Sequence, residues 1–253
     1  MYEEDVAEMD DHKEELLGVV SLDKKSRYYY ADFLHKMGYL LEVPQTTTAT
    51  ALVFFHKFFS TFTKYDKQLI ACSCMFLACK VDENTRRLRD VINVMNKITK
   101  PDQEPSSLLD KYFLQSKDVV ADHEQIILRA LMFNVRVKHP YKYLVNYVAC
   151  IQGTEGLLQL SYAIVNDSFR TTLCLRYKPN DIAAAAIYLA ARMTDYKLPY
   201  DKSEQKEGNS TGEEDSGTRP WFHLFQTTQQ TIDGIILELD SMYRDHRTPI
   251  DKS

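Results

Sequence analysis

The 253-residue chain is poor in glycine, and its eight glycines form no phosphate-cradling loop: neither GxGxxG nor a P-loop pattern occurs. GxSxG, HExxH and DxDxDG patterns are also absent, which removes the common hydrolase, zinc-protease and calcium-loop chemistries. The seven histidines are scattered and set up no ligand spacing. None of the five cysteines forms a CxxC pair, and most sit in apolar runs, so they read as reduced thiols buried like small hydrophobes. Cys72 and Cys74 lie two apart and would leave a helix on different sides, so they cannot pair with each other. No run of about eighteen apolar residues, signal peptide or lipidation motif occurs, so the expectation is an intracellular protein without a membrane partner. A formal net charge of −5 argues against direct DNA binding as the main task. Together these absences point away from an enzyme, with no catalytic residues, no metal and no cofactor expected. An all-helical interaction protein is the better reading.

What is present is organised around LIACSCMFLACKVDEN, residues Leu69 to Asn84. From Leu69 to Cys79 every residue is apolar or small, so no polar face exists at helical or strand period. A helix that is apolar all round is a buried central one. Ala71, Cys72, Ser73, Ala78 and Cys79 let neighbouring helices approach its axis closely. Lys80 breaks the run, where its ammonium suits the negative end of the helix dipole.

A second stretch, DIAAAAIYLAAR, copies the first. At an offset of 112 residues, Ile70, Ala71, Leu77, Ala78 and Lys80 fall on Ile182, Ala183, Leu189, Ala190 and Arg192. Ala51 and Val53 fall on Ala163 and Val165, and EQIIL at Glu124–Leu128 resembles DGIIL at Asp233–Leu237. The period is far longer than a solenoid unit, so it indicates two copies of one helical domain. Two domains also suit this length and the ordinary composition of 44% hydrophobic and 26% charged residues.

Residues 1–23 read as an acidic arm or short helix, with eight carboxylates from Glu3 to Glu15 against one lysine. Three-to-four spacing predicts helices over Lys24–Leu41, Ala49–Phe62, Arg86–Ile98 and Lys111–Phe133 around the central one, with a loop at Thr99–Ser107. Pro44 and the threonines Thr46–Thr48 punctuate the second start. Lys138-His139-Pro140 marks the boundary between copies. Helices follow over Tyr141–Ile151, Leu157–Leu173, Pro179–Met193 and Thr227–Tyr243. Tyr200–Gly217, rich in Gly, Ser, Asp, Glu and Lys, reads as a disordered surface loop, and Trp221 and Phe222 as the anchor behind it.

Two copies of such a domain resemble the paired cyclin boxes of the cyclin family. FLACKVDEN is similar to the lysine-bearing motif at the end of the family's third helix, and DHEQIILRALMFNV to its fifth helix. VPQTTTATALVFFHKFF, KHPYKYL and NDSFRTTLCLRYKPNDIAAAAIYLAAR look like the transcriptional cyclins of the T and K types. The similarity covers about residues 24–245 and rests on several motifs in order.

The resemblance implies an all-α chain of two tandem five-helix cyclin boxes, residues 24–138 and 139–253. It implies a nuclear regulatory subunit that binds and activates a transcriptional cyclin-dependent kinase. RNA polymerase II would be an indirect partner, through phosphorylation of its C-terminal repeat during elongation. Lys80 and Glu124 match the charged pair that meets the kinase, and Leu77, Val81, Leu128 and Val135 match the apolar positions around it. Without the resemblance, Leu77 and Leu128 would read as core.

Two departures bear on this. The first-helix motif MRxxLxxW of cell-cycle cyclins becomes Ser26, Arg27, Tyr30 and Phe33 at the matching positions, which argues against substrate docking of that kind and gives Arg27 a structural role near Asp32 or His56. The chain also stops at Ser253, without the long tail of some transcriptional cyclins, so tail-dependent partners are not inferred. The alternative is a general transcription factor core of the TFIIB type, which has two cyclin-like repeats and binds promoter DNA. An acidic start without cysteines before Cys72 fits that alternative poorly.

One consequence is measurable on the intact chain. Deleting the middle of Tyr200–Gly217 is expected to cost under about 1 kcal/mol, because loop-closure entropy changes slowly with length. A large fall in melting temperature would show instead that the segment packs.

Overall fold

The computed structural model describes residues 22–101, 111–199 and 221–247. The acidic stretch Glu3–Glu15, the segment Tyr200–Gly217 and most of Thr99–Ser107 lie outside the described residues. Chain contacts divide the protein into two units, residues 1–137 and 138–253. Among the described residues there is no strand.

Among the described residues the first unit has five helices: α1 (Lys24–Leu40), α2 (Gln45–Phe59), α3 (Lys67–Val81), α4 (Leu88–Thr99) and α5 (Lys111–Ala130). Side-chain caps start two of them: Asp23 accepts from the Ser26 amide at 3.0 Å and Asp66 from the Leu69 amide at 2.8 Å. The unbroken apolar run becomes α3, in which every residue from Ile70 to Cys79 is buried. It packs against the four other described helices of its unit. Burying each large side chain there, such as Ile70 or Met75, is worth about 1.5–3 kcal/mol. The hydroxyl of Ser73, polar in an apolar helix, donates to the Leu69 carbonyl at 2.8 Å and so adds no unpaired group.

The second unit has α6 (Pro140–Cys150), α7 (Glu155–Ser168), α8 (Leu173–Arg176), α9 (Pro179–Met193), a 3-10 turn at Trp221–Phe225, and α10 (Gln229–Arg247). Proline opens both α6 and α9, where its missing amide costs nothing. The bounds of α9 are those of α3 shifted by 112 residues at both ends, and α9 packs against every other α-helix of its unit. The repeat in the sequence is therefore a repeat of the central helix. Its alanines Ala183–Ala186 are all buried and admit the surrounding helices.

Several helix limits differ from the sequence-based expectation. Helix α2 begins at Gln45, not Ala49, because the threonines join it: Thr47, Thr48 and Thr50 are buried, and the Thr50 hydroxyl returns to the Thr46 carbonyl at 3.1 Å. It stops at Phe59, not Phe62. Helix α7 stops at Ser168, not Leu173. There the Ser168 hydroxyl takes the Val165 carbonyl at 2.7 Å, and the Thr171 hydroxyl takes that of Ser168 at 2.8 Å, folding the chain into a turn before the short α8. Behind the 200–217 segment the buried anchors are Trp221 and Phe225, while Phe222 is half-buried. Phe225 stacks on Tyr147 with centroids 3.7 Å apart. Cys72, Cys74 and Cys79 are buried, and burial raises their thiols, to about 12 for Cys72 and about 11 for Cys79. Cys150, at the end of α6, is exposed and departs from the expectation of buried thiols.

Gly38 shows how tightly the first unit closes. It is buried on α1, and a β-carbon there would collide with the Thr48 side chain of α2. Gly38→Ala is expected to destabilise the chain by about 1–3 kcal/mol, as over-packed core positions do. Chemical denaturation measures this, and an unchanged midpoint would show that α1 and α2 can separate freely.

Candidate functional site

A helix buried on every side must still end at the surface, and α3 does so at Lys80. Its ammonium reaches α5 and donates to both carboxylate oxygens of Glu124, at 2.7 and 2.9 Å. One turn back, the Phe76 ring lies beneath it, 4.2 Å from nitrogen to centroid. Lys80 is 42% exposed and Glu124 15%, so the pair sits at a rim, with the carboxylate nearly covered.

The turn after Lys80 is tied to distant elements. Asp82 accepts from the Thr50 hydroxyl at 3.0 Å. Asn84 donates to the Thr47 hydroxyl at 3.0 Å and to the Asp82 carbonyl at 3.1 Å. Arg86 donates to the carbonyls of Leu41 and Glu42, each at 2.8 Å, and so satisfies acceptors left over at the end of α1. Glu83 takes a left-handed backbone, φ 59°, inside this stitched turn. These bonds fix the end of α3 relative to α1 and α2, and with it the Lys80 backbone. The bonds of Thr50, Thr47 and Arg86 to this turn leave no local pattern in the sequence, because each joins residues more than thirty apart.

The residues expected around the pair are not all alike. Val81, Leu128 and Val135 are half-buried and can offer part of their surface. Leu128 lies one turn beyond Glu124 on α5. Leu77 is buried and belongs to the core. His123, beside Glu124 in sequence, lies with its ring 5.9 Å from that of Tyr65, and burial lowers its basicity despite Asp66 and Asp122. Arg27 donates to the Leu22 carbonyl at 2.9 Å, a structural contact.

The structure adds two residues that the sequence reading places inside a helix. Helix α5 ends at Ala130, not Phe133. Met132 and Phe133 adopt left-handed backbone, φ 49° and 58°, and are 85% and 68% exposed. The Phe133 amide donates to the Leu128 carbonyl at 2.8 Å, which closes the turn. Such backbone costs on the order of 1–3 kcal/mol per residue, and two bare apolar side chains repay none of it in the free chain. At the end of a helix an LMF run reads as core, so no local signal marks it. Among the described residues no cluster of His, Cys, Asp or Glu could hold a metal ion, and no helix is long and apolar enough to cross a membrane.

The comparisons with known proteins agree with this architecture. Residues 2–136 match the family model of the cyclin N-terminal domain, and residues 139–236 that of the cyclin-T2-like C-terminal domain. The chain is 35% identical to Cyclin-T1-5 of Arabidopsis thaliana over 250 residues, covering 96% of this chain and 41% of that protein. It is 36% identical to human Cyclin-L1 over 220 residues, covering 84% and 38%. The chain thus spans about two fifths of these relatives. Among solved structures, a chain of the yeast RNA Pol II CTD kinase CTDK-1 complex superposes with a TM-score of 0.69 at 19% identity, covering 87% of this chain and 66% of that one. A chain of the yeast TFIIK complex superposes at 0.57 and 19% identity, covering 86% and 84%. At these identities the structural matches speak for the fold alone.

The stitching of the turn is testable. Arg86→Ala removes two charge-assisted hydrogen bonds and is expected to cost about 1–3 kcal/mol of stability. A denaturation midpoint equal to that of the unsubstituted chain would show that the turn holds itself.

Proposed function

This chain belongs to the cyclin family, and on that premise we propose that it is a regulatory subunit that binds and activates a cyclin-dependent kinase of the transcriptional type. The T- and L-type relatives support a transcriptional class, and the printed names of the superposing complexes, a Pol II CTD kinase and TFIIK, suit a kinase acting on the C-terminal repeat of RNA polymerase II. Such a partner acts in the nucleus, so we place the protein there, with RNA polymerase II reached only through the kinase. The alternative of a DNA-binding TFIIB-like core has less support, since the chain carries a net charge of −5.

The observation that carries this reading is the Lys80–Glu124 pair at the rigid end of the buried helix. In our reading Lys80, Glu124, Val81, Leu128 and Val135 face the kinase, with Met132 and Phe133 beside them. Leu77 supports that face from within the core. A kinase is active only when the glutamate of its C-helix can reach the ATP-binding lysine. A rigid surface that fits only the inward position of that helix stabilises the active state by the difference in its two affinities. The charged pair sets register and orientation, and the apolar residues supply area.

Double substitution Lys80→Ala with Glu124→Ala separates binding from folding. Removing both charges leaves no stranded ion, and exposed pairs contribute only about 0–1 kcal/mol, so the free chain should melt almost as before. Kinase affinity should fall by roughly 2–5 kcal/mol if the charges are desolvated in the complex, with activation lost in parallel. Unchanged affinity in a pull-down titration would falsify the assignment, and a collapsed melting temperature would make the pair structural.

A further inference from the structure

Burial alone does not call for an aromatic residue at position 76. The other large side chains between Ile70 and Cys79 are Ile70, Met75 and Leu77, and they fill the core without a ring. Phe76 is the one aromatic residue of α3. It stands at the outer edge of that run, 8% exposed where Ile70, Cys74 and Met75 are fully covered. It also stands one turn before Lys80, so the two side chains share a side of the helix. The Lys80 ammonium lies 4.2 Å from the ring centroid, within reach of the negative face of the ring.

Glu124 alone does not fix Lys80. Both carboxylate oxygens accept from the ammonium, at 2.7 and 2.9 Å. The lysine side chain is nevertheless 42% exposed, and its four-carbon stem is flexible. An ion pair so open to water is weak, and it can swing with its mobile member. The ring is different in kind, because core packing sets its place. Glu124 draws the ammonium towards α5, and Phe76 holds it from the side of α3. Two contacts from two helices define a position that either one alone would leave as an arc.

We propose that Phe76 is the positioning residue of the charged face: its ring holds the Lys80 ammonium in the place from which the pair meets the kinase. The inference rests on the kinase-facing reading of Lys80 and Glu124, and adds to it a nearly buried residue that need not touch the partner. A stem ordered before binding loses less freedom on association, so the ring raises affinity without adding interface area. An aliphatic residue would fill the core at position 76 but would offer the cation no negative face. Phe76 therefore acts on affinity through Lys80, whereas a residue that only packs would act on stability.

The test alters the electrostatics of the ring while nearly keeping its size. Phenylalanines carrying one, two and three ring fluorines, incorporated at position 76, weaken the negative face stepwise. Each variant is titrated with one recombinant transcriptional cyclin-dependent kinase that the unsubstituted chain activates. Affinity should fall with each fluorine, by about two- to fivefold in all, the scale of an exposed cation–π contact, while the melting temperature holds. With Lys80→Met, which keeps a long stem and removes the charge, the series should be flat. Phe76→Tyr should retain the affinity that Phe76→Leu loses. In the free chain, the ε-methylene protons of Lys80 should resonate upfield because of the ring, and Phe76→Leu should abolish that shift. A flat fluorine series with Lys80 present, an equal slope with Lys80→Met, or unshifted Lys80 protons would overturn the proposal. If Lys80→Ala with Glu124→Ala leaves affinity unchanged, the kinase-facing reading fails and the proposal with it. If that double substitution weakens binding and the fluorine series is flat, only the positioning role fails.

Discussion

Everything in the first unit depends on one constraint: α3 has no face that tolerates water. Ten consecutive buried residues, Ile70–Cys79, require neighbours on all sides, and four helices supply them. The small residues in that run set how closely the neighbours approach, so the geometry of the whole unit follows from side-chain size on one helix. The same constraint acts on α9, where buried alanines take the place of cysteine and serine. Each unit is a shell of helices around a core helix that could not exist alone.

A helix enclosed in this way makes its end useful. The residue that first meets solvent is held by the packing of the whole domain, and at Lys80 a turn bonded to α1 and α2 holds it further. The ion pair itself adds little stability, since one partner is 42% exposed. In the proposed complex its worth lies in orientation: a charge pair with a fixed position can reward one placement of a partner's helix and penalise the others. Met132 and Phe133 fit the same logic, because the free chain gains nothing from exposing them on strained backbone.

The central helices and their duplication were legible in the sequence because both are local patterns: an unbroken apolar run and its copy at a fixed offset. Lys80 and Glu124 were legible through family resemblance, and the two side chains meet in an ion pair across α3 and α5. What the sequence hid was of two kinds. Long-range polar bonds, such as Arg86 to Leu41 and Glu42, leave no periodic trace. Helix ends decided by hydroxyls, at Thr50 and at Ser168–Thr171, are ambiguous because the same residues serve inside a helix and in a turn. Leu77 shows the limit of position matching: its place on the motif suggests a surface, and its packing puts it in the core.

Kinase activation demands more than attachment. To move a partner from one active molecule in a hundred to ninety-nine, the favoured state must be bound about 5.5 kcal/mol better than the other. A pliable surface would adapt to both states and discriminate between neither, so under the proposed function the rigidity of α3 and its stitched end serves activation as well as the fold. The second unit is under no such demand if the first does the discriminating. Its central helix must keep its small buried residues to fold, but its outer end is free to change.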